Sequence, residues 1–445
     1  MDPFHIGLAG MAMVLVLIAL RSPIAYSLGA SALVCILVYF AFPANQPADP
    51  ARAILPAMSL ASSTVYELFH NYDLSAIPMF IALGHVCYRA GITSDIYVAA
   101  RAWMTWVPGG LAVASVFGCA GFSTISGSSL ACAATMGRVA VPEMLRYGYS
   151  DRLATGAVAA GGTLGSLIPP GLLFILYGLF AEQSISQLFI AGIIPGIISV
   201  LGYWVVITVW VMMRRQDAPA ARDPMSMAEK RDALIKTWPA TLIFGIIIGG
   251  IYGGYFTATE AAAVSLAAAT IVALVLRRID IAGVITSLRE TAEQTAAIFI
   301  IAAAAKLFVA FVALTGVANS LVAVVAMLEP NVVMLMFGIV LIYLVLGMFL
   351  DPLGIMLLTL PFVLPLVEAE GLNLIWFGVI VVKLLEMGLI TPPVGLNVFV
   401  ISSVTTPKVA VRRIFEGVTP FFAMDLLVLA LLLVFPVLSL LLVTM

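Results

Sequence analysis

The sequence predicts an all-α polytopic membrane protein built on two repeats, and three observations carry that prediction. Of its 445 residues, 63% are hydrophobic and only 10% charged, more apolar surface than a soluble core of this size can hide. Apolar runs of roughly 17–25 residues recur from end to end, each long enough to cross a bilayer as a helix, and about ten to thirteen are expected. Two stretches, 117–171 and 347–397, share their punctuation at one ungapped offset of 223, which pairs Pro142 with Pro365, Gly148 with Gly371, Gly165 with Gly388, Pro169 with Pro392 and Pro170 with Pro393. The runs are continuously apolar and do not alternate, which argues against a lipid-facing barrel.

Residues 6–20 form the first run, read as a retained helix because Met1-Asp2-Pro3 offers no basic n-region. The chain resumes at Ile24 after Arg21-Ser22-Pro23, and Arg21 either snorkels to the headgroups or faces a polar cavity. The more polar segment 43–72 reads as a loop, with or without an interfacial helix. Residues 74–88 form a run that ends at Arg89-Ala90-Gly91, where glycine suits a helix C-terminus. Its counterpart is Gly316-Val317 at an offset of 225, shared by Gly192/Gly417 and Pro195/Pro420. Residues 214–238 carry Arg214, Arg215, Arg222, Lys230, Arg231 and Lys236, which places this linker on the cytoplasmic side. Arg277-Arg278 suggests the same side, so 239–276 should be two helices turning near Tyr255-Phe256-Thr257, with Thr257 and Glu260 as a capping box. An odd number of crossings between the repeats would make them inverted.

The expected organisation is therefore N-terminal scaffold helices (1–73), repeat 1 (74–213), a cytoplasmic linker (214–238), scaffold helices (239–293), repeat 2 (294–421) and a C-terminal helix (422–445). A net charge of −2 without a basic stripe argues against nucleic acid as a partner. Cys35, Cys87, Cys119 and Cys132 lack metal-ligand spacing and read as small core residues.

The chemistry sits at the breaks. Proline cannot donate to the carbonyl four residues back, so Pro169 and Pro170 free the carbonyls of Gly165 and Ser166, and Pro392 and Pro393 those of Gly388 and Leu389. Bare carbonyls cannot face lipid, and beside the hydroxyls of Ser123, Thr124, Ser126 and Thr391 they suit a hard cation such as sodium (Na+). The N-termini of interrupted helices can face an anion's carboxylate. A packing kink is the alternative reading of each double proline.

The block from Gly121-Phe122 to Ser126-Gly127-Ser128-Ser129, then Pro142, Gly148-Tyr149, residues 165–170, Gly250-Ile251-Tyr252-Gly253 and Thr391-Pro392-Pro393-Val394-Gly395-Leu396-Asn397 resemble the large membrane subunit of tripartite ATP-independent periplasmic (TRAP) transporters, the DctM type. The resemblance covers nearly the whole chain. It implies a sodium-driven, elevator-type carrier with inverted repeats, like the ion-transporter superfamily. Re-entrant hairpins are then expected at about 117–145 and 332–367, and broken helices at about 153–181 and 375–404. It implies two partners, a small four-helix membrane subunit (DctQ type) and a periplasmic substrate-binding protein (DctP type), in the lipid bilayer of a bacterial inner membrane. Carried onto matching positions, one sodium site uses Ser123 and Ser126 with carbonyls around Gly165, Ile168 and Pro170. The other uses carbonyls near Gly347, Gly388, Thr391 and Val394. His85, Gly171 and Ala258 depart from the Asn, Ser and Pro frequent in the family.

Candidate substrate contacts are Ser128, Ser129, Asp351, Asn397 and Arg21, the cargo being a small organic anion such as a carboxylate, dicarboxylate or sugar acid. Asp351 is either a cavity or gating residue or a cap beside Pro352. Asn397 either orients the broken helix or makes a packing hydrogen bond. Lys306, Lys383 and Glu386 pair internally or sit at interfaces. Two other classes compete: a stand-alone sodium/dicarboxylate-type symporter, and an intramembrane serine hydrolase using Ser126 or Ser128. The hydrolase reading lacks a G-x-S-G order and a histidine evidently placed to pair with the serine. No enzyme activity and no organic cofactor are expected.

Overall fold

Apolar chain in lipid must satisfy its backbone internally, and helices broken only at glycine and proline are one of the two ways to do so. The computed structural model describes residues 2–43, 49–104, 106–219, 226–327 and 331–443, and every regular element among them is helical. From the N-terminus, α1 (Pro3–Ala19), α2 (Ile24–Ala41), α3 (Pro50–His70), α4 (Ala76–Arg89) and α5 (Ile92–Met104) lead to a helix pair, α6 (Gly110–Ser126) and α7 (Ser129–Arg146). Next come α8 (Asp151–Gly162), the single turn α9 (Leu164–Leu167), α10 (Leu172–Phe180) and the long α11 (Ile185–Met213). After α12 (Met227–Lys236), α13 (Trp238–Phe244) runs through one turn of π-helix into α14 (Gly250–Tyr252), and α15 (Ala258–Val275) follows. The remainder is α16 (Ile281–Thr315), α17 (Val317–Met327), a second pair α18 (Val332–Gly347) and α19 (Pro352–Ala369), then α20 (Leu374–Gly388), α21 (Leu396–Val404), α22 (Val411–Val434) and α23 (Val437–Leu440).

Local chemistry sets many of these boundaries. Side chains of Ser128, Ser150 and Ser184 cap α7, α8 and α11, each contact worth about 1 kcal/mol. Thr257 and Glu260 form both bonds of the capping box, so 239–276 turns where the sequence places the turn. Gly91 and Gly316, and likewise Gly148 and Gly371, close helices with positive φ (69°, 65°, 82° and 67°), conformations that favour a residue without Cβ. Both double-proline sites contain a cis Pro-Pro bond.

Two differences from the sequence reading stand out. The segment 43–72, read as a loop with or without an interfacial helix, is mostly α3, whose buried Ala53, Ala57, Thr64 and Leu68 recur at helical spacing and outweigh the internal Pro56. Among the described residues, seven helices are long and apolar enough to cross a membrane, or up to nine if each of two bent pairs is one span, against the ten to thirteen runs expected. Several of those runs are cut at glycine or proline into shorter helices such as α6 and α18. The stretch 220–225 of the linker, with Arg222, lies outside the described residues.

The chain divides into two units. In the first (residues 1–74, 293–341 and 353–374), α1 packs against α2 and α2 against α3. Gly10 lets α1 approach the Phe311 ring, and Phe308 meets Phe362 edge-on with centroids 6.2 Å apart. The second (residues 75–292, 342–352 and 375–445) holds a large apolar core to which α6 and α8 contribute. There α8 and α22 cross at Gly156 and Gly417, where a Cβ on Gly156 would come within 2.5 Å of the Gly417 backbone. All four cysteines are buried and unpaired, as core residues.

Candidate functional site

At the first double proline the chain cannot stay helical. Pro169 and Pro170 lack N–H groups, and Ile168, immediately before them, is pushed to an extended conformation (φ −87°, ψ 123°). The helix stops at Leu167 and restarts at Leu172. Beside this break lies the tip of the α6–α7 pair. Gly127 (φ 59°) packs against the Pro170 carbonyl, and its own carbonyl accepts from the Leu172 N–H at 3.1 Å. A Cβ on Gly165 would come within 2.5 Å of the Ser129 backbone, so the two interruptions touch main chain to main chain.

The oxygens gathered here are unevenly satisfied. Among the described residues, no donor reaches the carbonyls of Gly165, Ser166, Ile168 or Pro170. Ser123 donates back along its helix to Cys119 O at 2.6 Å, and Thr124 to Gly121 O at 2.7 Å, each keeping lone pairs free. Ser126 Oγ is buried with no hydrogen-bond partner. A buried polar group without a partner costs about 1–3 kcal/mol.

The second break is built differently. Three tight turns close α20, with N–H groups of Leu389, Ile390 and Thr391 bonded to the carbonyls of Glu386, Met387 and Gly388. The carbonyls that proline frees at Gly388 and Leu389 are thus bonded again, the latter by Asn397 N–H at 3.0 Å. Those of Gly347, Thr391 and Val394 accept nothing among the described residues. Gly347, at the end of α18, meets Gly388 so closely that a Cβ on it would lie 2.9 Å from the Gly388 Cα. The Val394 N–H reaches Met348 O at 3.3 Å, tying the tip of the second helix pair to the break. Thr391 Oγ1 donates to Met387 O at 2.7 Å. Pro392 and Pro393 are exposed here, whereas Pro169 and Pro170 are buried.

Beside the first break runs a buried polar network that the sequence reading did not place. Glu386 Oε1 accepts from Ser129 Oγ at 2.7 Å, Ser129 lies 3.2 Å from Ser166 Oγ, and Ser166 donates to Gly127 O at 3.4 Å. One turn earlier on α20, Lys383 pairs with Asp425 at 2.5 Å, their side chains 2% and 1% exposed. The Tyr203 hydroxyl sits 2.8 Å from both Asp425 oxygens and 3.0 Å from Thr163, and Lys383 also reaches Ser199 at 3.2 Å. Lys383 and Glu386 therefore both pair internally. Asp425 carried a signal, being the only ionisable side chain after Glu416.

The remaining candidates fall in varied places. Ser128 caps α7 by accepting from Ala131 N–H at 3.4 Å. Asp351 immediately precedes Pro352 at the start of α19. Asn397 is buried and donates to Ala159 O at 3.2 Å, the packing bond of the two readings, while its Oδ1 has no partner. Arg21 sits exposed, with φ 64°, in the turn between α1 and α2.

Comparison with known proteins agrees with this architecture. The chain is similar in fold to the YdaH transporter of Alcanivorax borkumensis, with a TM-score of 0.61 and 15% identity over 93% of this chain and 98% of that one. It is 35% identical to the C4-dicarboxylate TRAP transporter large permease protein DctM of Pseudomonas aeruginosa over 77% of this chain and 79% of the relative. It is 33% identical to the sialic acid TRAP transporter large permease protein SiaM of Vibrio cholerae, over 84% and 86%. The ectoine TRAP transporter large permease protein TeaC of Halomonas elongata is 30% identical over 83% and 85%. The family described as "Tripartite ATP-independent periplasmic transporter, DctM component" matches residues 11–438. This multi-pass membrane chain belongs to that family of transporter permeases, the DctM components of TRAP transporters.

Proposed function

We propose that this chain is the sodium-coupled permease subunit of an importer for a small organic anion. The observation that carries the reading is the buried, unpartnered hydroxyl of Ser126, next to Gly127 and so beside the unbonded Pro170 carbonyl. Uncharged oxygens from hydroxyls and main-chain carbonyls suit a monovalent hard cation, and a cation held there offsets the cost of leaving them bare. In this reading Ser123, Ser126, Gly165, Ile168 and Pro170 hold one sodium ion, the co-transported coupling ion. Gly347, Gly388, Thr391 and Val394 hold a second. Both helix pairs are re-entrant hairpins and the repeats are inverted, so α7 and α10 present their positive N-terminal ends near the first break to a carboxylate. Ser128, Ser129, Asp351, Asn397 and Arg21 stand as candidate contacts to that anion.

The carrier works as an elevator in a bacterial inner membrane, alongside a four-helix subunit and a periplasmic binding protein that delivers the cargo. Relatives named for C4-dicarboxylate and sialic acid favour a carboxylate-bearing substrate. The test is uptake by the reconstituted complex with and without a sodium gradient, in wild type and Ser126→Ala. Sodium-dependent uptake whose half-saturating sodium concentration rises about tenfold in the variant is expected, equivalent to about 1.4 kcal/mol. Uptake indifferent to sodium refutes the coupling, and an unshifted sodium curve in the variant removes Ser126 from the site. Uptake without any binding protein would favour a stand-alone symporter.

A further inference from the structure

A cavity of about 820 Å³ opens within the second unit between the end of α4, the start of α5, the middle of α7 and the turn from α15 to α16. Four guanidinium groups line it, from Arg89, Arg138, Arg277 and Arg278. Two are already paired: Arg89 holds Glu290 at 2.5 Å, and Arg278 holds Asp95. Asp280, the acid in the wall, caps the start of α16 by accepting from Gly283 N–H at 2.8 Å. What is left over can donate at every group. The guanidinium groups of Arg138 and Arg277 make no ion pair or hydrogen bond among the described residues, nor do the hydroxyls of Ser94 and Thr135. A pocket whose spare polar groups are two guanidiniums and two hydroxyls is complementary to an oxyanion.

The backbone supports the same conclusion. Arg277 ends α15 with φ 53°, at the left-handed position where glycine is usual. Arginine there costs more than glycine would, and its side chain lies on the pocket wall. The rest of the lining is apolar, with Tyr88, Val139, Leu274 and Ile279, and the cavity far exceeds one phosphate ion. Outward from it, Val275, Ile281 and Ile285 are 74%, 72% and 61% exposed, a surface suited to acyl chains. The arginine-rich turn lies on the side that the positive-inside tendency assigns to the cytoplasm.

We propose that this cleft binds an anionic phospholipid of the cytoplasmic leaflet, its phosphate held by Arg138 and Arg277 and its upper acyl chain against Tyr88, Val139 and Leu274. The site is separate from the ion-binding breaks and does not depend on how transport is driven.

The experiment is native mass spectrometry of the full-length chain, stripped of lipid in detergent and titrated with phosphatidylglycerol or phosphatidylcholine. Wild type should bind phosphatidylglycerol preferentially. The Arg138→Gln/Arg277→Gln variant should bind it about thirtyfold more weakly, with Arg52→Gln, which does not line the cleft, unchanged. If the double variant fails to fold, each single variant should show about a fivefold loss. Equal binding of the two lipids, or undiminished phosphatidylglycerol binding by folded variants, overturns the proposal. Displacement of the lipid by millimolar inorganic phosphate also overturns it, in favour of a soluble anion.

Discussion

Replacing Asp425 by Asn should be among the most damaging single changes to the fold, and the structure sets the size of the effect. The carboxylate lies 2.5 Å from the Lys383 ammonium, with both side chains essentially out of contact with solvent. At an effective dielectric of about 20 the gross attraction is roughly 6–7 kcal/mol, much of it offset by the cost of desolvating the two charges. Removing one partner forfeits the attraction but keeps the desolvation of the other, so Asp425→Asn should cost about 3–5 kcal/mol, roughly 150- to 5,000-fold in the folding equilibrium. Removing both is different. In Lys383→Met/Asp425→Leu neither charge of the pair is left buried alone, Tyr203 retains Thr163 at 3.0 Å and Ser199 retains Pro195 O at 2.9 Å. The double variant should lie within about 1.5 kcal/mol of wild type. Denaturation midpoints in matched detergent micelles give the order: wild type close to the double variant, and both well above Asp425→Asn. A single variant as stable as wild type, or a double as unstable as the single, would refute the claim that a desolvated ion pair braces α20 against α22.

Other perturbations separate the two breaks from their surroundings. Gly165→Ala drives a methyl group into the Ser129 main chain and should cost about 1–3 kcal/mol while abolishing uptake, checked by transport and thermal stability together. Normal uptake in that variant would mean the two interruptions are not in contact. Glu386→Gln keeps an acceptor for Ser129, whereas Glu386→Ala leaves the Ser129–Ser166 pair unbraced, so only the alanine variant should need several-fold more sodium for half-maximal uptake. Identical sodium curves for the two would show that Glu386 does not position the first break. Thr257→Ala removes a capping box and should lower stability by about 1 kcal/mol without altering the sodium curve; a shifted curve would tie that turn to the ion site.

How far the chain could be read in advance depended on the kind of signal. Gly165, Pro169 and Pro170 and their counterparts Gly388, Pro392 and Pro393 announce backbone events, and the helices stop there because proline has no N–H whatever surrounds it. The Thr257–Glu260 cap was legible for a similar reason, since its partners lie three residues apart. Bonds between distant segments were not. Nothing local to Glu386 says that it meets Ser129, and nothing local to Asn397 says that it reaches the Ala159 carbonyl. The helix in 43–72 is only faintly signalled because Pro50, Pro56 and scattered polar residues look like punctuation, while the small buried residues Ala53 and Ala57 give a weak apolar signal.

The distances in sequence between those partners bear on how the molecule is made. Ser129 and Glu386 are 257 residues apart, Ala159 and Asn397 are 238, and Tyr203 and Asp425 are 222. At typical synthesis rates the ribosome delivers the second member of the first pair about 10–50 s after the first. Throughout that interval the nascent amino-terminal half waits in the bilayer with a tyrosine and several serines lacking their mature partners. Chains truncated by a premature stop before residue 383 would keep them so, a state that membrane quality control can recognise.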